Sequence, residues 1–196
     1  MKTERAGRME TVKDEIVAAI KGTGDIVRAT EETIAKTLAT SIKDTGKVGA
    51  SVTDAIADAA SGAIHGAAQG GADLGHAAKG IMIGVLRGAK KAGTEALDTI
   101  GHTAHVTIRD TAVVGGDLAA VATGLVEGAI AGAKEVGVGV EDAASAAADG
   151  ALKAAGKVGS TAVKTVHKAV TQTAQRAKVV LKQLKVAVSK KSHPKT

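Results

Sequence analysis

A chain of 196 residues without a single Phe, Tyr, Trp or Cys cannot close a core around aromatic rings, and it has neither a disulfide framework nor a thiolate metal site. Its 44% apolar content and mean hydropathy of +0.11 exclude a solvated, disordered polymer. The net charge of +6 hides a division: eleven Lys and Arg and no carboxylate follow Asp149, whereas the first 149 residues hold 15 basic and 20 acidic side chains, which suits an anionic partner or head-to-tail attraction between copies.

Residues 1–11 form a charged N-terminal segment without the apolar stretch of a signal peptide. The longest run free of Asp, Glu, Lys and Arg is AASGAIHGAAQGGA, residues 59–72. It is too short and too weakly apolar to cross a bilayer as one helix. No conventional transmembrane helix is expected. The expected location is the cytoplasm, or the cytoplasmic face of a membrane as a peripheral protein.

Residues 12–177 repeat with a period of eleven. Read at that interval, Ile16, Val27, Leu38, Gly49, Ala60, Gly71, Met82, Gly93, Ala104, Gly115, Val126, Gly137, Ala148, Gly159, Val170 and Leu181 form a column without one charge. The column through Ile34, Ile56 and Ile100 is also uncharged, as is the one through Leu74, Val85 and Leu118. An eleven-residue repeat is about 3.67 residues per turn, close to a relaxed α-helix, and it places these columns side by side as an apolar arc. A connection of arbitrary length would shift the columns. The only proline is Pro194. The expectation is therefore all-α: one very long continuous amphipathic helix, roughly 170 residues at ~1.5 Å each, in a right-handed or nearly straight coiled-coil assembly. A helical hairpin whose connection replaces a whole row of eleven would keep the phase too.

Glycine returns in the arc every 22 residues, at Gly49, Gly71, Gly93, Gly115, Gly137 and Gly159. Within a helix each glycine costs about 0.8–1 kcal/mol against alanine, so packing must compensate. Further glycines stand four apart at Gly62, Gly66 and Gly70, at Gly84 and Gly88, and at Gly124, Gly128 and Gly132. Such lines of small residues let helix backbones approach closely. The arc glycines, with Ile34, Ile56, Leu74, Val85, Ile100 and Leu118, are the expected packing residues of a homo-oligomer.

Residues 178–196 form a basic amphipathic tail, KVVLKQLKVAVSKKSHPKT. Lys178, Lys182, Lys185, Lys190 and Lys191 are the expected contacts to an anionic surface. The same lysines would also suit a solvated helix end facing the helix dipole. Nucleic acid is disfavoured as a partner, because no aromatic side chain is available to stack on bases.

The period, together with segments such as IKDTGKVGASV (42–52) and LKAAGKVGSTAVKTV (152–166), resembles the repeat class of apolipoproteins, perilipins, synucleins and late-embryogenesis-abundant proteins. That resemblance implies peripheral lipid binding, long coiled-coil assembly or protection during drying. No phosphate-binding GxxxxGK[ST] loop and no HExxH motif occurs. His102 and His105 are three apart, while His65 and His76 share a column too far apart for one ion. No metal, cofactor, small-molecule substrate or enzymatic activity is expected. The expected function is that of a structural homo-oligomer associated with a membrane surface. The alternative is a lipid-binding or stress-protective chain that becomes helical on a surface.

Overall fold

A glycine that adopts a left-handed backbone ends a helix, and here it does so repeatedly. The computed structural model describes residues 2–23, 25–45, 50–92 and 95–191, with side chains over 6–21, 25–40, 52–90 and 95–178. Over these residues the chain forms eight α-helices: α1 (Lys2–Thr23), α2 (Ile26–Thr45), α3 (Ala50–Gln69), α4 (Leu74–Ala92), α5 (Ala96–Val113), α6 (Leu118–Val136), α7 (Val140–Val158) and α8 (Ser160–Lys191). Among the described residues no helix is long and apolar enough to cross a membrane.

The turns explain the 22-residue glycine spacing. Gly71, Gly115 and Gly137 have φ of 69°, 71° and 82°, a region that side chains disfavour. Beside each, a backbone N–H reaches back five residues: Ala72 to the Ala67 carbonyl at 2.9 Å, Gly116 to Thr111 at 2.9 Å and Val138 to Ala133 at 3.0 Å. This bond satisfies the orphan carbonyls of the helix end. After Gly71 and Gly115 an aspartate then starts the next helix, whereas α7 starts at Gly139 without a side-chain cap. Asp117 accepts the N–H groups of Ala119 and Ala120 at 2.8 and 3.2 Å. Asp73 caps α4 through His76 N–H at 2.8 Å, and Asp25 caps α2 through Arg28 N–H at 3.1 Å.

The expectation of one continuous helix in a coiled coil is thus overturned, as is its length as a rod; residues 12–177 run through all eight helices. The physical reason lies in the arithmetic of the turns. From α4 to α7, successive helices start 22 residues apart, which is two rows of eleven. A turn costs the pattern no phase because helix and connection together fill a whole number of rows. Along the uncharged column the turn glycines Gly71, Gly115, Gly137 and Gly159 thus stand between helix centres, and at such centres Ile16, Leu38, Ala60, Met82, Ala104, Val126 and Val170 are buried.

Where the connection is described, sequential helices are joined by short turns into antiparallel hairpins. The strongest packing is nevertheless between helices two apart in sequence. The odd-numbered helices form one layer and the even-numbered helices the other. The core lies between the layers and includes Ile16, Ile34, Leu38, Ile64, Ile81, Met82, Leu86, Ile100, Ile108 and Leu125, none of them exposed.

Glycine sets the spacing within each layer. A Cβ on Gly62 would stand 2.5 Å from the Met9 carbonyl oxygen, and one on Gly66 would stand 2.7 Å from that of Lys13. On α4, Gly80 meets the Val27 carbonyl and Gly84 that of Glu31; on α6, Gly124 meets Gly75 and Gly128 meets Lys79. In each case the number rises along both helices, so layer neighbours are parallel. These contacts are helix backbone on helix backbone, and a methyl group cannot be admitted without moving a helix.

Two substitutions separate this packing from glycine's intrinsic helix cost. Gly156 lies in α7 with nothing within 4 Å of an added Cβ, so Gly156→Ala should raise stability by about 0.5–1 kcal/mol. Gly128→Ala places a Cβ 2.7 Å from the Lys79 oxygen and 2.8 Å from Met82 Cβ. It should instead lower stability by about 1–3 kcal/mol through overpacking. Urea unfolding followed by circular dichroism compares the two, and equal gains from both would contradict glycine-mediated contact.

Candidate functional site

The last helix differs from the others in length and charge. α8 has 32 residues against 18–22 for the rest, and it carries eight Lys and Arg with no carboxylate. It packs on α6 and α7 by burying Ala162, Val166, Ala169, Val170 and Thr173. Where α6 meets α4 through glycine, α8 meets α6 through hydroxyls. Thr173 Oγ1 donates to the Ala169 carbonyl at 2.8 Å and lies 3.5 Å from Thr123 Oγ1.

On the solvent side of that contact, Lys164, Lys168, Gln172 and Arg176 recur every fourth residue and are exposed, a spacing that lines one face of a helix. Lys168 and Arg176 border a cleft of about 690 Å³ shared with α4 and α6. The Lys79–Glu127 ion pair, 3.1 Å long, lies across from them. Among the described residues Lys164, Lys168 and Arg176 form no ion pair. Several cations elsewhere are paired, Arg8 with Asp58 at 2.8 Å, Arg28 with Glu32 at 2.8 Å, and Arg87 with both Glu135 at 2.6 Å and Glu31, while Lys134, Lys153 and Lys157 form no ion pair among the described residues. The α8 face is thus a row of positive charge without a direct ion pair among the described residues, although Asp73 and Asp117 line the same cleft.

A second polar group joins α3 to α5. This joint too lacks the close glycine contact; here Ser61 Oγ donates to Asp110 Oδ2, and Arg109 Nε donates to Asp110 Oδ1 at 2.7 Å. His65 Nδ1 donates to the Ser61 carbonyl at 2.8 Å, so its ring is tied to its own helix and not to the Ser61 hydroxyl. Thr99, Thr103, Thr107 and Thr111 each donate to the carbonyl four residues back, at 2.7–2.8 Å. Bonding back in this way lets buried hydroxyls present methyl groups to the core.

His102 and His105 share this region. His102 Nε2 is buried with no hydrogen-bond partner among the described residues. Its pKa is lowered, first by burial and then by Arg109, with Asp54 opposing. His105 Nε2 lies 3.4 Å from Lys157 Nζ, and its pKa is lowered by burial, then by Lys157 and Arg109. Among the described residues no group of three or more His, Cys, Asp and Glu could hold a metal ion.

The residues singled out in the sequence are dispersed. Ile34, Ile56, Val85 and Ile100 are buried within this chain, and Leu74 and Leu118 are half-buried against its core. Gly71, Gly115, Gly137 and Gly159 sit in turns with open space around them; Gly49 and Gly93 lie outside the described residues. Lys178 is exposed on α8. Lys182, Lys185, Lys190 and Lys191 continue the same helix, with side chains outside those described. A tail that begins at residue 178 leaves out the face formed by Lys164, Lys168 and Arg176. The absence of carboxylates after Asp149 was the signal for it.

No family model and no curated protein matches this sequence. Among solved structures, the crystal structure of the de novo designed helical repeat protein DHR7 is similar with a TM-score of 0.56 and 20% identity, over 90% of this chain and 96% of that one. At that identity the likeness concerns the fold: an all-α helical repeat.

The depressed histidines carry a pH dependence. Neutral imidazole is favoured in the folded chain, so the unfolded chain binds protons first as pH falls. Stability present above the ordinary histidine value of about 6.5 should decline as pH drops through it toward the lowered folded values. His102→Gln should flatten the urea midpoint between roughly pH 7 and 5. An unchanged slope would show that His102 is not the group responsible.

Proposed function

We propose that this protein is a non-enzymatic structural scaffold, a stack of repeat helices that attaches to an anionic membrane surface through α8. The observation that carries the reading is the exposed row Lys164, Lys168 and Arg176, without carboxylate partners among the described residues, on a 32-residue helix devoid of acidic side chains. Each Lys or Arg close to an anionic bilayer contributes about 1 kcal/mol, and the face is straight and periodic, as a planar surface requires. Beyond residue 177 the sequence alternates lysines with Val180, Leu181, Leu184 and Val188, a composition suited to the headgroup boundary. The two-layer core supports a chain that is already folded before it attaches.

Co-sedimentation with vesicles tests this. Binding to phosphatidylserine-containing vesicles is expected, with little to pure phosphatidylcholine and a steep fall as salt rises. Reversing three charges, with Lys164→Glu, Lys168→Glu and Arg176→Glu together, should weaken binding by about 100-fold or more. Equal binding to neutral and anionic vesicles would remove the proposal. A chain disordered in buffer and helical only with vesicles would favour the surface-folding alternative.

A further inference from the structure

We infer that two copies of this chain associate face to face through α7 and α8, forming a four-helix bundle at the junction. Upstream, every pair of adjacent helices is covered by the next pair: α5 and α6 by α7 and α8, and α3 and α4 by α5 and α6. The groove between α7 and α8 is not covered by anything among the described residues. It measures about 580 Å³, and its apolar wall includes Val140, Ala144, Ala148 and Leu152 of α7 and Ala174 and Ala177 of α8. These side chains are half-buried, in the position that the core occupies between earlier helix pairs.

The charges on the groove select a second copy as its occupant. Glu141 on α7 and Lys178 on α8 both line it and are both exposed. Because α7 and α8 run antiparallel from the turn at Gly159, these two residues lie at the same end of the groove on opposite walls. Neither has an ion-pair partner among the described residues. A two-fold axis running along the groove places α7 of one copy over α8 of the other. Each Glu141 then faces the other copy's Lys178, and the two apolar walls close on each other. An isologous interface must be self-complementary in this sense, and antiparallel α7 on α8 is ordinary bundle packing. The opposite face of the molecule does not offer the same opportunity. There α1 and α2 carry the pairs Lys13–Glu10, Arg28–Glu32 and Lys36–Glu15, the charged outer surface of a terminal repeat. The contact uses Lys178 and the groove wall, not the face formed by Lys164, Lys168 and Arg176, so it can be tested without lipid.

The test is a charge exchange in lipid-free buffer, followed by light scattering. The native chain should have twice the 19.3 kDa mass of one copy. Glu141→Lys alone and Lys178→Glu alone each set like charges together at two places and should weaken dimerisation about tenfold or more. Mixing the two variants restores both opposite-charge contacts, so a mixed dimer should form. The double variant carrying both exchanges should dimerise like the native chain. Circular dichroism confirms that each variant is folded; if one is not, E141Q and K178Q replace the reversals, and each should weaken the dimer. A native chain that stays monomeric at millimolar concentration would overturn the inference. So would a dimer indifferent to both substitutions, or single variants that fail to recombine.

Discussion

Contact between helix backbones within each layer is the constraint on which this structure depends. A chain without aromatic rings has few large side chains with which to fill space between helices. It compensates by removing the space. Gly62, Gly66, Gly80, Gly84, Gly124 and Gly128 bring the carbonyl oxygens of one helix against the Cα atoms of the next. Each glycine weakens its own helix by about 1 kcal/mol, and the dispersion contacts made at short range offset that cost. The larger side chains can then be reserved for the seam between layers, where Ile, Leu and Met are fully buried.

Two joints depart from this rule, and they are where the polar chemistry collects. Between α3 and α5, Ser61 and Asp110 meet where other helices have glycine, and Arg109, His102 and His105 gather around them. Between α6 and α8, Thr173 meets Thr123, and a cleft opens beside Lys168 and Arg176. A joint without close glycine contact leaves room for longer side chains. The buried acid at the first joint is satisfied inside the chain, which makes it a structural element. The cations at the second face outward, which makes α8 the part of the described chain best equipped to meet something else.

The eleven-residue period has a physical basis in both architectures it suggests. In a continuous helix it holds one apolar face in line. In this fold it does the same within each helix, while at Gly71, Gly115 and Gly137 a glycine in the left-handed region uses up part of a row. Phase therefore says which face is apolar and nothing about whether the backbone turns back. Column assignments for Ile16, Leu38, Met82 and Val126 survive the turns because these residues occupy helix centres, furthest from the places where register could slip.

The helical class, the apolar face, the close-approach glycines of α3, α4 and α6 and the basic character of the C-terminal part were all determined by the sequence, because each depends on local spacing or on composition. Whether the covering for that face came from the same chain was decided only by tertiary structure. Gly71 and Gly62 are chemically identical, yet one ends a helix and the other lets two helices touch. The difference is a backbone angle of about 70° at the first and a neighbouring carbonyl at the second. Neither is written in an eleven-residue period, because folding back satisfies the same apolar face that association between chains would have satisfied.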